Sequence, residues 1–394
     1  MAILSVNAGS STLKFSIHPL QDGTVQPAVM TGNIQGLEPG GTPDMRWTLD
    51  GRAQQRTLMA GSDAFAAALD GLRSLLAAEV AVPDIEAVAH RVVHGGRSFR
   101  SSVVVDDAVL AQLERLNSLA PLHQPHNIDG IRAFRAAFPG LPQIACFDTA
   151  FHADLPEVAS RFALPRAMHD EGVRRYGFHG LSYQYIMGTL LERSPRARNR
   201  VLMAHLGNGA SLCAAHEGRS QATTMGFSAL DGLMMGTRSG TLDAGVLLYL
   251  MERGWDHDRL QTLLYKQSGL LGVSGLSADM RRLRADGSAA AREAIDLFTY
   301  RVVREAGAMA ACLGGVDLIA FSGGIGEHDA ALRADVCAAL GWMGVQLDEA
   351  RNAQAVGNDI ARIDAGGSAV ELWVIPTDEG RVAAQSAAAL LATG

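Results

Sequence analysis

Segments with strand periodicity alternate with segments of helical periodicity along the whole chain, and this alternation restricts the fold more than any other feature. Short apolar runs such as ILSVN and DLIAFS are typical of buried strands, whereas DAFAAALDGLRSLLAAEV repeats its apolar residues at helical spacing. Such alternation predicts an α/β protein built from mixed layers. At 394 residues, the chain is more than twice as long as a typical domain of ~150 residues, so we expect two domains.

Two turns of small residues, each between two strand-like segments, lie about 200 residues apart. The first contains Asn7 and Gly9, and the second, in VLMAHLGNGASLCAAH, contains Gly207 and Gly209. The match favours two distant copies of one unit, although a chance match is the alternative. We place the domain boundary just after the strand that ends at Asp148, and we expect the last helix, in DEGRVAAQSAAALLA, to return to the first domain.

The composition excludes several classes of protein. Hydrophobic residues make up 48% of the chain and charged residues 19%, which indicates a globular rather than a disordered protein. A net charge of −7 gives no overall attraction to nucleic acid or to an anionic membrane. The N-terminal residues lack the features of a signal peptide, and no run approaches the ~18 apolar residues of a membrane span. We therefore expect a cytoplasmic protein, with reduced core thiols at its four cysteines, Cys146, Cys213, Cys312 and Cys337.

The first turn, VNAGSSTLK, combines backbone N–H groups with the hydroxyls of Ser10 and Thr12, which suit phosphate oxygens. Of 34 basic residues, only Lys14 and Lys266 are lysine, so Lys14 indicates a site that needs a compact ammonium group rather than a guanidinium. An ordinary glycine- and serine-rich hairpin is the alternative for this segment.

A third glycine-rich segment, DLIAFSGGIGEHDAAL, is predicted to form a turn between a strand and a helix. Gly323, Gly324 and Gly326 would let a nucleotide approach the backbone, and the N-terminus of the following helix favours negative charge. The chain contains neither G-x-G-x-x-G nor G-x-x-x-x-G-K-[ST], which disfavours a dinucleotide-binding fold and a P-loop.

Two arginines and several carboxylates lie at predicted element ends. Arg91 and Arg238 have little acid nearby in sequence, so each can bind a carboxylate or a phosphate in bidentate fashion, with a structural salt bridge as the alternative. Asp148 and Glu379 follow strands, where carboxylates hold Mg²⁺ or a catalytic arginine. For Asp378 and Glu379 the alternative is simple stabilisation of a helix N-terminus.

The twelve histidines do not form a zinc motif. His90 and His94 should lie on one face of a strand, and H-E-x-x-H does not occur. His179 differs from the others, because the glycines on either side of Phe178 and His179 leave its ring room to face a ligand.

Nine segments resemble the acetate kinase family in their order and spacing. They are LSVNAGSSTLKFS, AHRVVHGG, APLHQPHN, CFDTAFH, RYGFHGLSY, AHLGNGASL, MGFSALDGLMMGTRSG, FSGGIGE and VIPTDEG. The resemblance runs from residue 3 to the last helix.

That family belongs to the superfamily of actin, sugar kinases and Hsp70-like proteins. The resemblance therefore implies two duplicated actin- or hexokinase-like (ribonuclease H-like) α/β domains with ATP in the cleft between them. It implies an N-terminal domain over 1–150, with the acyl-substrate site and the phosphate-binding hairpin, against which the C-terminal helix 380–394 packs. It further implies a nucleotide-binding domain over 151–379 and a homodimer.

The resemblance implies a role for each matching catalytic residue. Arg91 resembles the acetate-binding arginine, and Asp148 resembles the catalytic acid. His179 and Arg238 resemble the groups that stabilise the transition state. The implied acyl pocket consists of Val93, Leu122, Phe178 and Ala229, where Ala229 replaces the family's usual proline.

The resemblance also implies a metal and a nucleotide site. Mg²⁺ (or Mn²⁺) would be held by Asn7 and Glu379. The implied phosphate contacts are Ser10, Thr12, Lys14, His205, Leu206, Gly207, Asn208 and Gly209. The implied nucleoside contacts are Asp279, Met280, Arg281, Gly324, Ile325, Gly326, Glu327 and His328.

The implied reaction is reversible phosphoryl transfer from ATP to acetate. Acetate is already ionised at neutral pH, so the chemical difficulty is to bring two anions together rather than to remove a proton. We therefore interpret Asp148 as a group that orients an arginine or a metal-bound water. A propionate or butyrate kinase is the near alternative, and a nucleotide-gated scaffold of the actin or Hsp70 type is a distant one.

Overall fold

A computed structural model describes residues 1–9, 11–38, 40–59, 63–79, 84–121, 123–357 and 359–393. The chain forms two units. Unit 1 comprises Met1–Ala150 and Asp378–Gly394, and unit 2 comprises Phe151–Thr377. The chain thus returns to unit 1 at Asp378, whereas the sequence interpretation placed this return at residue 380.

The described residues of unit 1 form one sheet of nine strands. The central strands are almost completely buried, whereas buried and more exposed residues alternate along much of the second strand of the chain. The strands are β1 (Ala2–Ala8), β2 (Thr12–Gln21), β3 (Thr24–Val25), β4 (Met30–Gln35), β5 (Asp44–Leu49), β6 (Arg52–Thr57), β7 (Ile85–Val92), β8 (Val103–Val104) and β9 (Gln143–Phe147). Their order is β6-β5-β4-β2-β1-β7-β9-β8, with β3 beside β2. The hairpin β1–β2 is antiparallel, and β1, β7 and β9 are parallel.

Within the described residues, the helices of unit 1 before the last helix of the chain are α1 (Ala64–Ala78), α2 (Asp107–Glu114) and α3 (Gln124–Ala137). Asp63 and Asp106 cap the first two, because each carboxylate accepts hydrogen bonds from backbone N–H groups of the first turn. Apolar side chains of α1 and α3 join the core formed by β1, β2, β4 and β5. The helix α2 ends at Glu114, and a short 3₁₀ helix follows at Asn117–Leu119.

Unit 2 contains a sheet of six strands: β10 (Arg200–Leu206), β11 (Ala210–His216), β12 (Arg219–Thr223), β13 (Leu318–Ser322), β14 (Ala361–Arg362) and β15 (Glu371–Val374). Their order is β12-β11-β10-β13-β15-β14. Here too a hairpin, β10–β11, is followed by two strands that run parallel to its first strand. The order β11-β10-β13-β15 repeats β2-β1-β7-β9 of unit 1, which confirms the predicted duplication.

The helices of unit 2 are α4 (Glu157–Ser160), α5 (Arg166–Asp170), α6 (Gly180–Arg193), α7 (Ala244–Glu252), α8 (His257–Lys266), α9 (Gly269–Ser274), α10 (Met280–Asp286), α11 (Ala289–Leu313), α12 (Gly323–His328), α13 (Ala330–Ala339) and α14 (Glu349–Gln354). The longest, α11, begins at the capping side chain of Ser288 and ends at Gly314, whose φ of +70° suits glycine. Along the described ranges, no helix combines the length and apolar character needed to cross a membrane.

The last helix, α15 (Glu379–Leu391), belongs to unit 1 and lies against β1, β2 and β7. Asp378 caps it by accepting from the N–H of Arg381, and Ser5 Oγ on β1 donates to the carbonyl of Gly380 at 2.6 Å. These bonds fix the first turn of α15, and therefore Glu379, against the centre of the sheet.

The four cysteines do not all lie in the core. Cys146, Cys213 and Cys337 are buried free thiols, and burial raises the pKa of each to about 12. Cys312 on α11 is exposed, so its predicted burial is wrong. Cys312 lies outside the face of α11 that carries the buried residues, so its side chain is exposed to solvent.

Candidate active site

Arg91 and Asp148 meet at the carboxyl ends of two neighbouring parallel strands. Arg91 lies opposite Cys146 in the β7–β9 register, and Asp148 follows β9 directly. Arg91 Nη2 lies 2.5 Å from Asp148 Oδ2, and Arg91 Nε lies 3.3 Å and 3.2 Å from the two carboxylate oxygens. The acid that pairs with Arg91 is distant in sequence and adjacent in the sheet, so local sequence could not show the pair.

The Arg91 guanidinium carries a permanent charge. Burial acts to lower the pKa of Arg91, but the negative charges of Asp148 and Glu379 outweigh this effect and raise it above its ordinary value. The Arg91 side chain remains 27% exposed, whereas that of Asp148 is only 1% exposed. Asp148 thus orients a cation that is open on one side.

A cavity of about 160 Å³ in unit 1 brings together four of the predicted residues, Asn7, Lys14, Arg91 and Glu379. Asn7 and Lys14 face each other across the β1–β2 hairpin, and Arg91 Nη1 lies 3.3 Å from Asn7 Oδ1. Two cations and two oxygen ligands therefore share one small space. Thr12 is not among the described residues that line it; instead its carbonyl accepts from the N–H of Gly9 and closes the hairpin. Ser10 lies outside the described residues.

Gly380 allows α15 to start close to the sheet. A Cβ at this position would lie 2.4 Å from Ser16 Oγ on β2, far inside contact distance. Ser16 Oγ is itself 2.9 Å from His18 Nε2. A residue with a side chain at 380 would push Glu379 away from the cavity or displace Ser16.

Val93 follows β7 and is positioned by a side chain that the sequence interpretation missed. The N–H of Val93 donates to Asn127 Oδ1 at 3.0 Å, and Asn127 Nδ2 donates to the carbonyl of Ala8 at 2.9 Å. Asn127 on α3 thereby joins the ends of β1 and β7. Leu122, the predicted neighbour of Val93 in the acyl pocket, lies outside the described residues. The motif PHN marks Asn127 only as one polar residue of a helix.

In unit 2, His179 stands immediately before α6 in a left-handed conformation, with φ of +59°. Its Nδ1 lies 2.9 Å from Ser211 Oγ on β11, and its ring stacks on that of His205 with 4.2 Å between centroids. A Cβ built on Gly209 would lie 3.2 Å from His179 Nε2 and 3.9 Å from Arg238 Nη1. The structure thus brings His179, Gly209 and Arg238 together.

His152 supports the backbone that leads into His179. Its Nε2 lies 3.0 Å from the carbonyl of Phe178 and its Nδ1 lies 2.8 Å from Ser220 Oγ, so Nε2–H donates and Nδ1 accepts. Burial lowers the pKa of His152 to about 4, which keeps the ring neutral. The sequence interpretation missed this residue; the only signal was a histidine next to the strand end at Asp148.

Arg238 lies in an irregular segment between β12 and α7. Its Nη1 donates to the carbonyl of Ala229 at 2.8 Å and lies 3.5 Å from Met235 Sδ. The half-buried Ala229 and the buried Phe178 are both in unit 2. The main-chain carbonyl of Ala229 therefore positions Arg238, and this contact does not depend on the side chain at position 229.

A cavity of about 750 Å³ in unit 2 is of the size that small-molecule cofactors occupy. Its walls include eight predicted residues: Gly207, Asn208, Asp279, Met280, Arg281, Gly324, Ile325 and His328. They also include four residues that the sequence interpretation missed: Ala278, Arg284, Asp329 and Ala330. Asp279 caps α10 and pairs with Arg281 at 2.6 Å, and the hydrogen bond from Arg281 lowers the pKa of Asp279.

Five predicted nucleotide residues of unit 2 are not among the described residues that line this cavity: His205, Leu206, Gly209, Gly326 and Glu327. Leu206 and Gly326 are buried, and His205 and Gly209 lie beside His179. Glu327 Oε1 instead accepts from the N–H groups of Gly323 at 2.7 Å and Thr377 at 3.1 Å. Its carboxylate therefore holds the backbone of the segment rather than facing the cavity.

The third glycine-rich segment is helical, so the predicted simple turn is wrong. Gly323 to His328 form the short helix α12 directly after β13. The fully buried Arg333 on α13 donates from Nη1 to the carbonyls of Gly326 at 2.9 Å and Glu327 at 2.8 Å. A side chain distant from the glycines thus satisfies the last turn of the helix.

Comparisons with known proteins show the family to which this chain belongs. A model of the acetokinase family matches residues 2–385. An acetate kinase of Rhodopseudomonas palustris is 49% identical over 382 residues, which cover 96% of this chain and 95% of that protein.

Two solved structures share the fold along nearly their whole length. A propionate kinase from Francisella tularensis has a TM-score of 0.90 and 33% identity, with 98% of each chain covered. Porphyromonas gingivalis acetate kinase has a TM-score of 0.88 and 34% identity, with 99% of each chain covered. These structures confirm the predicted α/β fold with two duplicated domains of the actin and sugar kinase type. The chain therefore belongs to the acetokinase family.

Proposed function

We propose that this protein is a carboxylate kinase that transfers the γ-phosphate of ATP to acetate, reversibly and directly, to give acetyl phosphate and ADP. Membership of the acetokinase family supports this reaction. The observation that carries it is the pair Arg91–Asp148, because it holds a permanent guanidinium beside Lys14 in a cavity of about 160 Å³. Fixed positive charge in so small a space suits a small carboxylate or a phosphoryl group.

The chemistry needs charge stabilisation rather than a base. Acetate enters as an anion, and the transferring phosphoryl group spreads negative charge over its oxygens. We assign Arg91 to acetate and Arg238 to the phosphoryl group, with His179 as a hydrogen-bond donor to the same oxygens. Asp148 keeps Arg91 in place, since both of its carboxylate oxygens lie within hydrogen-bonding distance of Arg91.

The larger cavity, of about 750 Å³, would take the nucleoside of ATP. The turn of Gly207 and Asn208 offers backbone groups at one wall, and Lys14 in unit 1 supplies an ammonium for a phosphate.

Asn7 and Glu379 fit a nucleotide-bound Mg²⁺ (or Mn²⁺). Among the described residues, no three His, Cys, Asp or Glu side chains are arranged to hold a metal by themselves. Mg²⁺ does not need such a cage, because it commonly takes one or two protein oxygens together with waters and substrate phosphates. When bound, it would neutralise phosphate charge; Asn7 Oδ1 and the Glu379 carboxylate supply its protein ligands.

A propionate kinase is the second candidate. Ala229 leaves more room than the proline usual in the family, and the solved structure of a propionate kinase is among the similar ones. Val93 is a buried apolar residue of unit 1 at the position where the resemblance implies one, which is why we place acetate first.

A hydroxamate assay with MgATP and acetate tests the proposed reaction. Acyl phosphate should form in proportion to enzyme, and ADP should appear in equal amount. Slow hydrolysis of ATP without acyl phosphate would contradict the proposal and favour a nucleotide-gated scaffold. Acyl phosphate from propionate but not from acetate would favour the second candidate.

We further propose a cytoplasmic location, because the reaction consumes ATP.

We also propose a homodimer. On α7, Leu248, Tyr249 and Met251 are 64%, 50% and 56% exposed, and none of the residues of this helix is buried within the described chain. An apolar helix face of this kind marks an interface, and we assign it to a second copy of this chain. Light scattering after gel filtration should give twice 41.6 kDa, and Leu248→Glu with Met251→Glu should give the monomer mass. A monomeric wild-type protein would contradict this assignment.

A further inference from the structure

His179 is held on its Nδ1 side by two hydroxyl groups. Ser211 Oγ lies 2.9 Å from Nδ1, and the phenol oxygen of Tyr183, on the first turn of α6, lies 2.5 Å from the same Oγ. Tyr183 and Ser211 are both fully buried. The three side chains thus form one hydrogen-bonded chain that ends on the imidazole.

The direction of this chain follows from the needs of the buried phenol. Burial raises the pKa of Tyr183 well above its ordinary value, so the group keeps its proton. Its hydrogen bond with the backbone of His205 acts to lower that pKa, which is the effect of a donor to the phenol oxygen. The phenol proton therefore goes to Ser211 Oγ, since a buried O–H without an acceptor is unfavourable.

The orientation of Ser211 then determines the tautomer of His179. Because Ser211 accepts from Tyr183, its own proton is available to His179 Nδ1. Among the described hydrogen bonds of Ser211 Oγ, Nδ1 is the one remaining acceptor for this buried proton, so Nδ1 accepts it and carries none. A neutral ring then has its proton on Nε2. The opposite direction would leave the phenol proton without an acceptor among the described residues.

The Nε2 side of the ring is the side that faces the glycine turn. Nε2 lies 3.2 Å from the position of a Cβ on Gly209, and Arg238 Nη1 lies 3.9 Å from that same point. The stacked His205 ring, 4.2 Å away, limits rotation of His179 out of this orientation. A proton on Nε2 would therefore be directed toward the space next to the Arg238 guanidinium.

We propose that Tyr183 and Ser211 are positioning residues that fix His179 as the neutral tautomer with its proton on Nε2. The tautomer itself follows from the contacts within unit 2. Its use as a donor to the transferring phosphoryl group rests on the proposed function. The sequence singled out His179 but neither of these partners.

Nitrogen NMR on the full-length protein labelled with ¹⁵N-histidine tests the tautomer directly. The signals of His179 are assigned by their loss in His179→Gln. We expect a shift of the unprotonated type at Nδ1 and of the protonated type at Nε2, measured without substrates at pH 8. A proton on Nδ1, or an imidazolium with both nitrogens protonated, would overturn the proposal.

Two variants test whether the hydrogen-bonded chain from Tyr183 through Ser211 to His179, here called the relay, controls the tautomer. Tyr183→Phe removes the donor to Ser211, and Ser211→Ala removes the donor to Nδ1, so each should shift His179 toward a mixture of tautomers. We expect kcat for acetyl phosphate formation to fall about 10-fold or more, with the KM values for acetate and ATP within about two-fold. Tyr185→Phe, a partly buried tyrosine on the same helix that packs against the apolar core, is the matched control and should change neither the NMR signals nor kcat.

Failure of the relay and failure of the proposed function give different results. Wild-type protein that makes acetyl phosphate but has its proton on Nδ1 would overturn the relay alone. Protein with the expected tautomer and no kinase activity would support the relay and contradict the proposed function. An unchanged tautomer in both variants would show that neither hydroxyl controls it.

Discussion

Arg91 is held by an acid, and this contact defines its role at the scale of single residues. Arg91 pairs with the carboxylate of Asp148, so its charge is anchored while part of the side chain stays exposed to a substrate anion. Arg238 donates from Nη1 to the Ala229 carbonyl and contacts Met235 Sδ, so the main chain of unit 2 positions this guanidinium.

Loss of either guanidinium should abolish most of the turnover. We expect Arg91→Ala and Arg238→Ala each to lower kcat about 10³-fold or more, as for charge stabilisers of phosphoryl transfer elsewhere. The hydroxamate assay measures this, with circular dichroism to confirm folding. Arg132→Ala, which removes an exposed ion pair with Glu114, is the control and should keep normal activity. Near-normal turnover of a folded Arg91 or Arg238 variant would refute the assignments.

The side chain at position 229 should set the size of the acyl group. Discrimination of one methylene is worth only about 1–3 kcal/mol, so the wild-type enzyme should use propionate appreciably while preferring acetate. Ala229→Pro should lower kcat/KM for propionate about 10-fold relative to acetate, since proline fills the space but keeps the carbonyl that binds Arg238. Ala229→Val should act in the same direction. The comparison of kcat/KM for acetate, propionate and butyrate decides this, and a preference for butyrate would contradict it.

The residues that were predictable from sequence differ in kind from those that were not. Lys14 and His179 stood out because a rare lysine and a histidine between glycines are locally unusual. Asn127, His152 and Ser211 did not, because each is an ordinary polar residue whose importance lies in a contact with a segment distant in sequence. Such contacts depend on strand order, which periodicity does not specify.

At the scale of elements, local periodicity located the strands and helices well but not their ends. The predicted strand QIACFDTAF ends at Phe147, and a 3₁₀ helix begins at Ala150. Similarly, α12 forms on three glycines because Arg333 and Glu327 provide hydrogen bonds to its backbone. In both cases tertiary contacts override local preference.

The close approach of α15 to β2 makes Gly380 a sensitive position. Gly380→Ala adds a Cβ 2.4 Å from Ser16 Oγ, so Ser16 or the helix must move. We expect the variant to lose about 1–3 kcal/mol of unfolding free energy, more than the ~1 kcal/mol that alanine contributes to a helix. Its activity should also fall, because Glu379 is the preceding residue.

A double variant separates the clash from other effects. Ser16→Ala together with Gly380→Ala removes the colliding oxygen, so it should recover most of the stability in urea unfolding. If Gly380→Ala is as stable as the wild type, or the double variant is no better than the single one, then the close approach does not determine the position of α15.

For the whole molecule, the main lesson is that one supersecondary pattern accounts for both sheets. In each unit a hairpin is followed by two strands parallel to its first strand, and each hairpin turn carries predicted ligand residues. The repeated turns predicted this duplication because a turn is a local feature. Among the described residues of unit 2, no strands correspond to β5 and β6 at the edge of the unit 1 sheet, so the two copies differ at this edge.

Buried neutral histidines should make the stability of both units depend on pH. Burial lowers the pKa of His90 in unit 1 and of His152 in unit 2 from 6.5 to about 4. Between these values the unfolded chain binds more protons than the folded chain. The free energy of unfolding should therefore be constant above about pH 6.5 and fall as the pH decreases toward 4. Carboxylates with lowered pKa, such as Asp317, add a further loss only below their ordinary value of 3.8.

Urea unfolding at pH 7.5, 6 and 5 measures this dependence, and each histidine should contribute at most about 1.4 kcal/mol per pH unit. His152→Gln should reduce the slope, because glutamine can donate to the Phe178 carbonyl without taking up a proton. His257→Gln alters an exposed ring and should leave the slope unchanged. Equal stability at pH 7.5 and 5 would show that the buried rings are protonated alike in folded and unfolded chains, and would remove the assignment of His152 as a neutral support for His179.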